Sequence, residues 1–425
     1  MPLSLTAYRA LTSLAAPFLP ALLKARVNKG KENPERLQER SGYATRKRPD
    51  GPLIWMHGAS IGESQALLLL HDALRAEDPS IQTLLTTQTT TSAELITRKA
   101  PEGLIHQVAP LDTPFATQRF LRHWSPDLAV FAEGEIWPNL LTGLDKRRIP
   151  RLLLNARITE KSFDGWLRVP ALAKKLFGGF DTIQAANQQT ADRLNQFTRQ
   201  RVRMTGNIKH AAPPLAADPQ LKSRFSGLAG PRTIVAAIST HPDEEEMIAR
   251  ATQSLSASPL LIIAPRHPER GPDIEQNLRA DNAGPIYLRS RDGEPKGDEA
   301  VWICDTLGEV GLWIALSDVV FLGGGVQGAG IYGHNPIEAL KLDRHVISFS
   351  EVDNFRQEFR DLVAADAASL VDTEAELVDA LRSHLSEGTQ PAPNRGRLAQ
   401  YLKAETALHT ARDAVLSALK TRTRR

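Results

Sequence analysis

"IWMHGASIGESQALLLL", Ile54 to Leu70, opens as a strand and closes as a helix. Ile54, Trp55 and Met56 form an apolar run of β character, and Gln65 to Leu70 begins a helical pattern. Between them lie Gly58, Ala59, Ser60, Ile61, Gly62 and one carboxylate, Glu63. Strand, glycine-bearing turn and helix make the repeating unit of a parallel α/β sheet. The alternation recurs, with strands expected at Leu53–Ser60, Ile81–Gln88, His106–Pro110, Leu128–Ile136, Arg151–Ala156, Thr182–Ala186 and Arg201–Ile208. A second set is expected at Thr233–Thr240, Leu260–Arg266, Pro285–Leu288, Val301–Asp305, Val319–Gly324 and Val346–Ser350. Two such sets predict two doubly wound α/β domains, 31–211 and 212–394, with the seam at the Pro-rich turn Ala211–Leu215. The segment from Arg395 to Leu419 reads as one amphipathic helix, with Leu398, Leu402, Leu408, Val415 and Leu419 as its stripe, in a tail spanning 395–425.

A chain of 425 residues suits two domains better than one core. A net charge of +3 gives no argument for nucleic acid as a partner. The single cysteine, Cys304, excludes an internal disulfide framework and a multi-cysteine zinc site; it sits beside the apolar run Val301-Trp302-Ile303 and reads as core. Within residues 1–30, 14 uncharged and mostly apolar residues separate Arg9 from Lys24, broken by Pro17 and Pro20 and followed by Arg26, Lys29 and Lys31. That run is short of the ~20 residues that span a bilayer and lacks a signal-peptide cleavage pattern. An apolar segment with a basic flank suits an anionic membrane surface; the competing reading is a helix packed on its own domain.

In open α/β sheets ligands bind beyond the carboxyl ends of the strands, so the loops there are where chemistry is expected. Glu63 has two local readings. Ser60-x-x-Glu63 is a capping-box pattern, and a first-turn acid suits the helix dipole. A carboxylate at such a turn can also take a proton from a hydroxyl, with Gly58 and Gly62 allowing close approach of backbone to a ligand. Glu133 and Glu135 follow another strand; alternation would turn them to opposite sides, which argues against a shared metal. In the second half, Ser239, Thr240 and His241 stand where a helix amino end could meet a phosphate, and Thr240 could cap that helix. Arg266, in Pro265-Arg266-His267, has either a structural carboxylate or a substrate phosphate as its partner. Six glycines between Gly323 and Gly333 precede His334-Asn335-Pro336-Ile337-Glu338, a good helix start, and form a cradle for a phosphate or nucleotide without the P-loop lysine.

The ordered motifs "HGASIGE", "EGEIWPNLL", "NARIT", "GNIK", "STHPDEEE", "APRHPER", "DTLGEV", "FLGGG" and "GHNPIEAL" resemble those of 3-deoxy-D-manno-octulosonic acid (Kdo) transferases of lipopolysaccharide synthesis, from about Gly30 to about Ala365. The resemblance implies a GT-B fold, two Rossmann-like domains facing a cleft behind an N-terminal membrane-associating helix. It implies CMP-Kdo as donor, a lipid A precursor (lipid IVA) as acceptor, and inversion at the sugar. Work at the cytoplasmic face of the inner membrane follows, with no cofactor and no metal. Glu63 corresponds to the family's proposed general base. Arg266, Gly308, Glu309, Asn335 and Glu338 correspond to its nucleotide holders, with His267, Gly324, Ser239 and Thr240 beside them. His57, Ser60, Arg157, Lys209 and Glu135 are candidates for the acceptor or the Kdo carboxylate. Two departures stand out: Gly325 where the family tends to have Ser, and Trp313 where it tends to have Tyr. A nucleotide-sugar epimerase, or a transferase with another acceptor, is the alternative on the same architecture.

Overall fold

The computed structural model describes residues 2–99, 101–256, 258–385, 396, 398–402 and 405–423. The chain forms two compact units, Met1–Ala212 with Lys403–Arg425, and Pro213–Leu402.

The first unit holds a seven-stranded parallel sheet: β1 (Leu53–His57), β2 (Gln82–Thr87), β3 (Leu104–Val108), β4 (Leu128–Ala132), β5 (Arg151–Ala156), β6 (Thr182–Ala185) and β7 (Arg203–Met204). Their spatial order is β3-β2-β1-β4-β5-β6-β7. β1, β4 and β5 are buried along their whole length, as strands with apolar middles covered on both faces are. The order reverses direction between β1 and β4, which opens a crevice above their carboxyl ends.

The second unit repeats the plan with β8 (Ile234–Thr240), β9 (Leu260–Pro265), β10 (Ile286–Leu288), β11 (Val301–Ile303), β12 (Val319–Leu322), β13 (His345–Phe349) and β14 (Ala368–Val371). The order is β10-β11-β9-β8-β12-β13-β14, with its switch between β8 and β12. Cys304 is buried in this unit's core beside Trp302 and Trp313.

The strand β14 has no counterpart among the expected strands. Ala-Ser-Leu-Val is short, lies at the sheet edge and is only partly buried, so its pattern is weak. β4 stops at Ala132 rather than Ile136, because Glu133 takes a left-handed φ of 52° and turns the chain. The expected Arg201–Ile208 strand shrinks to two residues, ended by Gly206 at φ 95° and a 3-10 turn over Ile208–Ala211. The single expected C-terminal helix is two helices. Ala399–Leu402 belongs to the second unit, where Leu398 and Tyr401 join the core. Glu405–Thr423 belongs to the first, where Ala407, Ala411 and Val415 pack with Leu70 and Leu74. Arg395, the first residue of that expectation, lies outside the described residues.

The N-terminal segment is helical over Leu3–Ala15 and Leu19–Asn28, joined by a 3-10 turn at Pro17. By length and composition the 26-residue stretch Leu3–Asn28 could cross a membrane, so the 14-residue uncharged run understates its reach. One face is docked: Leu5 and Leu23 are buried, the Tyr8 hydroxyl donates to Asp112 Oδ2 at 3.0 Å, and Asn139 Nδ2 donates to Thr12 Oγ1 at 3.0 Å. Leu3, Leu11, Leu14, Phe18 and Leu22 are exposed.

Candidate active site

In the first unit, three carboxylates, Glu63, Glu133 and Glu135, gather with Lys209 above the β1/β4 switch. Glu63 lies in the first turn of the helix Ile61–Glu77, which Ser60 caps: the Glu63 N–H donates to Ser60 Oγ at 3.3 Å. The carboxylate is held in return, with Ser60 Oγ donating to Oε1 at 2.7 Å and the Ala59 N–H to Oε2 at 2.8 Å. Each carboxylate oxygen has two acceptor lone pairs, so capping does not exhaust Glu63, and the two readings of it are compatible. Burial pushes its carboxyl above the ordinary value; the Ala59 and Ser60 bonds pull against this, and the charges of Glu133 and Glu135 add to the rise.

The two glycines beside Glu63 make room for protein rather than for ligand. A Cβ on Gly58 would stand 3.0 Å from Glu63 Cβ and Leu67 Cδ1, and one on Gly62 would stand 3.0 Å from Lys209 Nζ. Lys209 therefore lies over the helix start, and its ammonium pairs with Glu133 Oε1 at 2.5 Å. His57, expected to face the acceptor, is fully buried with both ring nitrogens engaged: Nδ1 with Thr86 Oγ1 at 2.8 Å and Nε2 with Glu135 Oε2 at 3.2 Å. It positions Glu135 instead. Trp137 Nε1 donates to the same Glu135 oxygen at 2.8 Å. Burial alone would raise the Glu135 carboxyl, but the hydrogen bonds and charge of His57 with the bond from Trp137 bring it below the ordinary value. Glu63 and Glu135 are thus neighbouring acids driven apart, one up and one down, a pattern that separates acid–base roles. Arg157 is exposed, and no side-chain partner is seen for it among the described residues.

In the second unit the β8/β12 switch is lined by histidines and arginines. Ser239 ends β8 with a left-handed φ of 56°. His241 Nε2 lies 2.8 Å from His334 Nε2, the rings nearly parallel, so one proton is shared between the two imidazoles. Burial and the charges of His267, Arg270 and Arg266 lower the His241 value. Burial, His241 and Arg266 lower His334 to about 4. Arg266 and His267 are exposed; Arg266 has no side-chain hydrogen bond among the described residues, while His267 meets Glu269 at 3.5 Å. The partner of Arg266 is therefore not a structural carboxylate.

Several expected phosphate contacts are already spent within the protein. Thr240 is buried and donates to Glu245 Oε1 at 2.8 Å, while Glu245 is held by Arg270 through both oxygens. Thr240 does not cap the following helix either; Asp243 occupies that position at φ 73°. The Gly324 N–H donates to Glu244 Oε1 at 2.7 Å, and the His241 N–H donates to Glu244 Oε2 at 2.9 Å. Glu244 thus fills part of the glycine cradle itself, and burial raises its carboxyl to about 7. Gly308 takes the left-handed φ of 87° that its turn requires, but Glu309 is clasped by Arg289 and Thr306. Asn335 Oδ1 accepts from the Ile337 N–H at 3.1 Å, and its Nδ2 donates to Glu338 Oε1 at 3.3 Å. Burial raises the Glu338 carboxyl, with the Asn335 bond opposing. Trp313 is wholly buried against Phe225, so this departure from the family pattern is a core substitution.

Glu244 and His334 do not stand out in the sequence as site residues. The signal was present in part: an acid next to a run of glycines whose N–H groups need acceptors, and one histidine in each loop after the adjacent strands β8 and β12. Among the described residues, no group of three or more His, Cys, Asp or Glu side chains is arranged to hold a metal ion.

Residues 35–212 match a sequence model of the family described as 3-deoxy-D-manno-octulosonic-acid transferase (kdotransferase). A 3-deoxy-D-manno-octulosonic acid transferase of Haemophilus influenzae is 30% identical over 382 residues, covering 88% of each chain. One from Rickettsia felis is 33% identical over 298 residues, covering 69% of this chain and 63% of that one. The fold is similar to that of MurG from Acinetobacter baumannii, with a TM-score of 0.53 at 11% identity over 86% of this chain and all of that one.

Proposed function

On the premise that the chain belongs to the 3-deoxy-D-manno-octulosonic acid transferase family, we propose that it moves Kdo from CMP-Kdo to a lipid A precursor, lipid IVA, with inversion. The observation that carries the reading is Glu63: a buried carboxylate with a raised value, fixed by two donors above the β1/β4 switch. A base so raised is matched to accepting a proton from a sugar hydroxyl, and its fixed orientation costs nothing at the moment of attack. As the acceptor oxygen bonds to the anomeric carbon, its proton passes to Glu63 and the bond to the CMP phosphate breaks. Attack opposite that phosphate inverts the centre. The charge left on CMP is met by Arg266, the one guanidinium of its loop with no carboxylate partner, and by His241 and His334 beside it. Arg157 and Lys209 supply positive charge for the acceptor phosphates or the Kdo carboxylate. A monophosphate leaving group with cationic partners needs no metal. The exposed apolar face of Leu3–Asn28 and the basic residues after it hold the enzyme at the cytoplasmic face of the inner membrane.

The test is Glu63→Gln, assayed with CMP-Kdo and tetra-acylated lipid A precursor. Transfer should fall at least a hundredfold while CMP still binds with the wild-type affinity. Turnover near the wild-type rate would remove Glu63 as the base. Loss of activity in EDTA, restored by Mg²⁺, would overturn the metal-free reading. The anomeric configuration of the product, read by NMR, decides inversion.

A further inference from the structure

A small pocket of about 130 Å³ lies in the first unit between the N-terminal helix and the helices Pro114–Trp124 and Pro138–Arg147. It is lined by Arg9, Thr117, Gln118, Asn139, Lys146 and Arg147, and none of the three cations forms a salt bridge among the described residues. Arg147 Nη1 donates only to the Gly143 carbonyl, at 3.2 Å. Arg9 feels the charge of Asp112, whose oxygens are already taken by Tyr8, Asn139 and Leu140. The last-turn dipole of Pro138–Arg147 accounts for cations at Lys146 and Arg147, but not for Arg9. Nor does it account for Asn139, which is 1% exposed, lines the pocket and has an Oδ1 with no hydrogen-bond partner. Its Nδ2 is fixed by the Asp112 carbonyl at 2.6 Å and by Thr12, so the oxygen is the atom left over.

The position of the pocket supplies the class of ligand. Leu3, Leu11, Leu14, Phe18 and Leu22 are exposed on the N-terminal segment, and Phe115, next to the pocket residue Pro114, is 64% exposed. The opposite face of the segment is tied to the unit by Leu5, Leu23, Tyr8 and Thr12. A helix docked this way lies in the membrane plane, its apolar face about 5–10 Å into the boundary of head groups and acyl chains. Arg9, on the docked flank one helix diameter away, then stands at the level of lipid phosphates. We infer that this pocket binds the head group of an anionic glycerophospholipid, with the phosphodiester at Arg9, Lys146 and Arg147 and a head-group hydroxyl donating to Asn139 Oδ1. A glycerol head provides that donor at a size the pocket admits. The inference rests on the membrane-surface part of the function proposed above.

The test is flotation of the full chain with three kinds of vesicle: phosphatidylcholine alone, and phosphatidylcholine mixed with phosphatidylglycerol or, at equal charge, phosphatidylserine. Wild type should prefer the phosphatidylglycerol vesicles over both others. Arg9→Gln with Lys146→Gln should cut that binding roughly thirtyfold, the effect of two basic residues near an anionic surface. Leu14→Ser with Phe18→Ser should weaken binding to all three. Gln118→Glu, an exposed change at the mouth, repeats the first test without removing a cation. Equal binding to phosphatidylglycerol and phosphatidylserine, or a preference that survives both pocket variants, overturns the head-group site and leaves the membrane reading standing. No binding to any vesicle overturns both. Displacement by soluble glycerol 1-phosphate without any effect of the apolar variants would make it a site for a free phosphate ester and overturn the lipid assignment.

Discussion

Titration separates the two candidate sites residue by residue. Glu63 must be ionised to act as a base, and burial raises its value. Transfer rate should therefore climb with pH through a point above the ordinary glutamate value, and a kcat/KM profile reads that point directly. His334 shifts the other way, to about 4 from 6.5. A phosphate placed beside it favours the imidazolium and raises that value again. CMP binding should then take up protons between pH 4 and 6.5 and tighten as pH falls across that window. Calorimetry in buffers of different ionisation enthalpy measures the uptake, and His334→Asn should remove most of it while the protein stays folded. The placement of Glu63 and Arg266 in the turns after strands was legible, because each follows an apolar run that the turn closes. His57 was not, since a sequence cannot tell an imidazole facing a ligand from one spent on Thr86 and Glu135. Thr240 and Glu309 mislead for the same reason: their partners, Glu245 and Arg289, are fixed by three-dimensional packing.

Whole elements were more legible than their ends. The strands β1, β4, β5, β8 and β9 announce themselves, because burial on both faces fills their middles with apolar residues and leaves polar ones such as His57, Arg151, Asn155 and Thr240 at or near their ends. Strand ends depend on single backbone torsions, as at Glu133 and Gly206, and periodicity does not encode those. Gly325 shows why a glycine can be required without a left-handed torsion. A Cβ there would stand 2.4 Å from the Phe349 carbonyl oxygen and 2.8 Å from Ser348 Oγ. Gly325→Ser, the residue the family tends to carry, should cost about 1–3 kcal/mol, as overpacking does, because one of the obstacles is backbone. Denaturant unfolding of the second unit checks the loss. Ser348→Ala added to it should recover only part, since the carbonyl remains.

The whole molecule is two units joined twice, since the chain leaves the first at Ala212 and returns to it at Lys403. The amphipathic stripe of the tail was visible in the sequence; which body it would cover was not, because a stripe of small and apolar residues fits many partners. The last helix, Glu405–Thr423, lays Ala407, Ala411 and Val415 on the cluster that includes Leu67, Leu70 and Leu74, and Arg412 pairs with Glu77 at 2.7 Å. Gln184 Nε2 donates to the Thr410 carbonyl at 3.1 Å. Ending the chain after Leu402 should weaken the first unit by about 3–6 kcal/mol, the burial of a few apolar side chains, and leave the second untouched. A two-step unfolding curve should show only one midpoint move. The same return sets an order of events during synthesis. The helix that carries Glu63 is made among the first hundred residues, yet its outer face waits for the final twenty. On the ribosome the first unit stays unfinished until the second has emerged, and a nascent chain stalled before Lys403 leaves the helix Ile61–Glu77 open to proteases and chaperones.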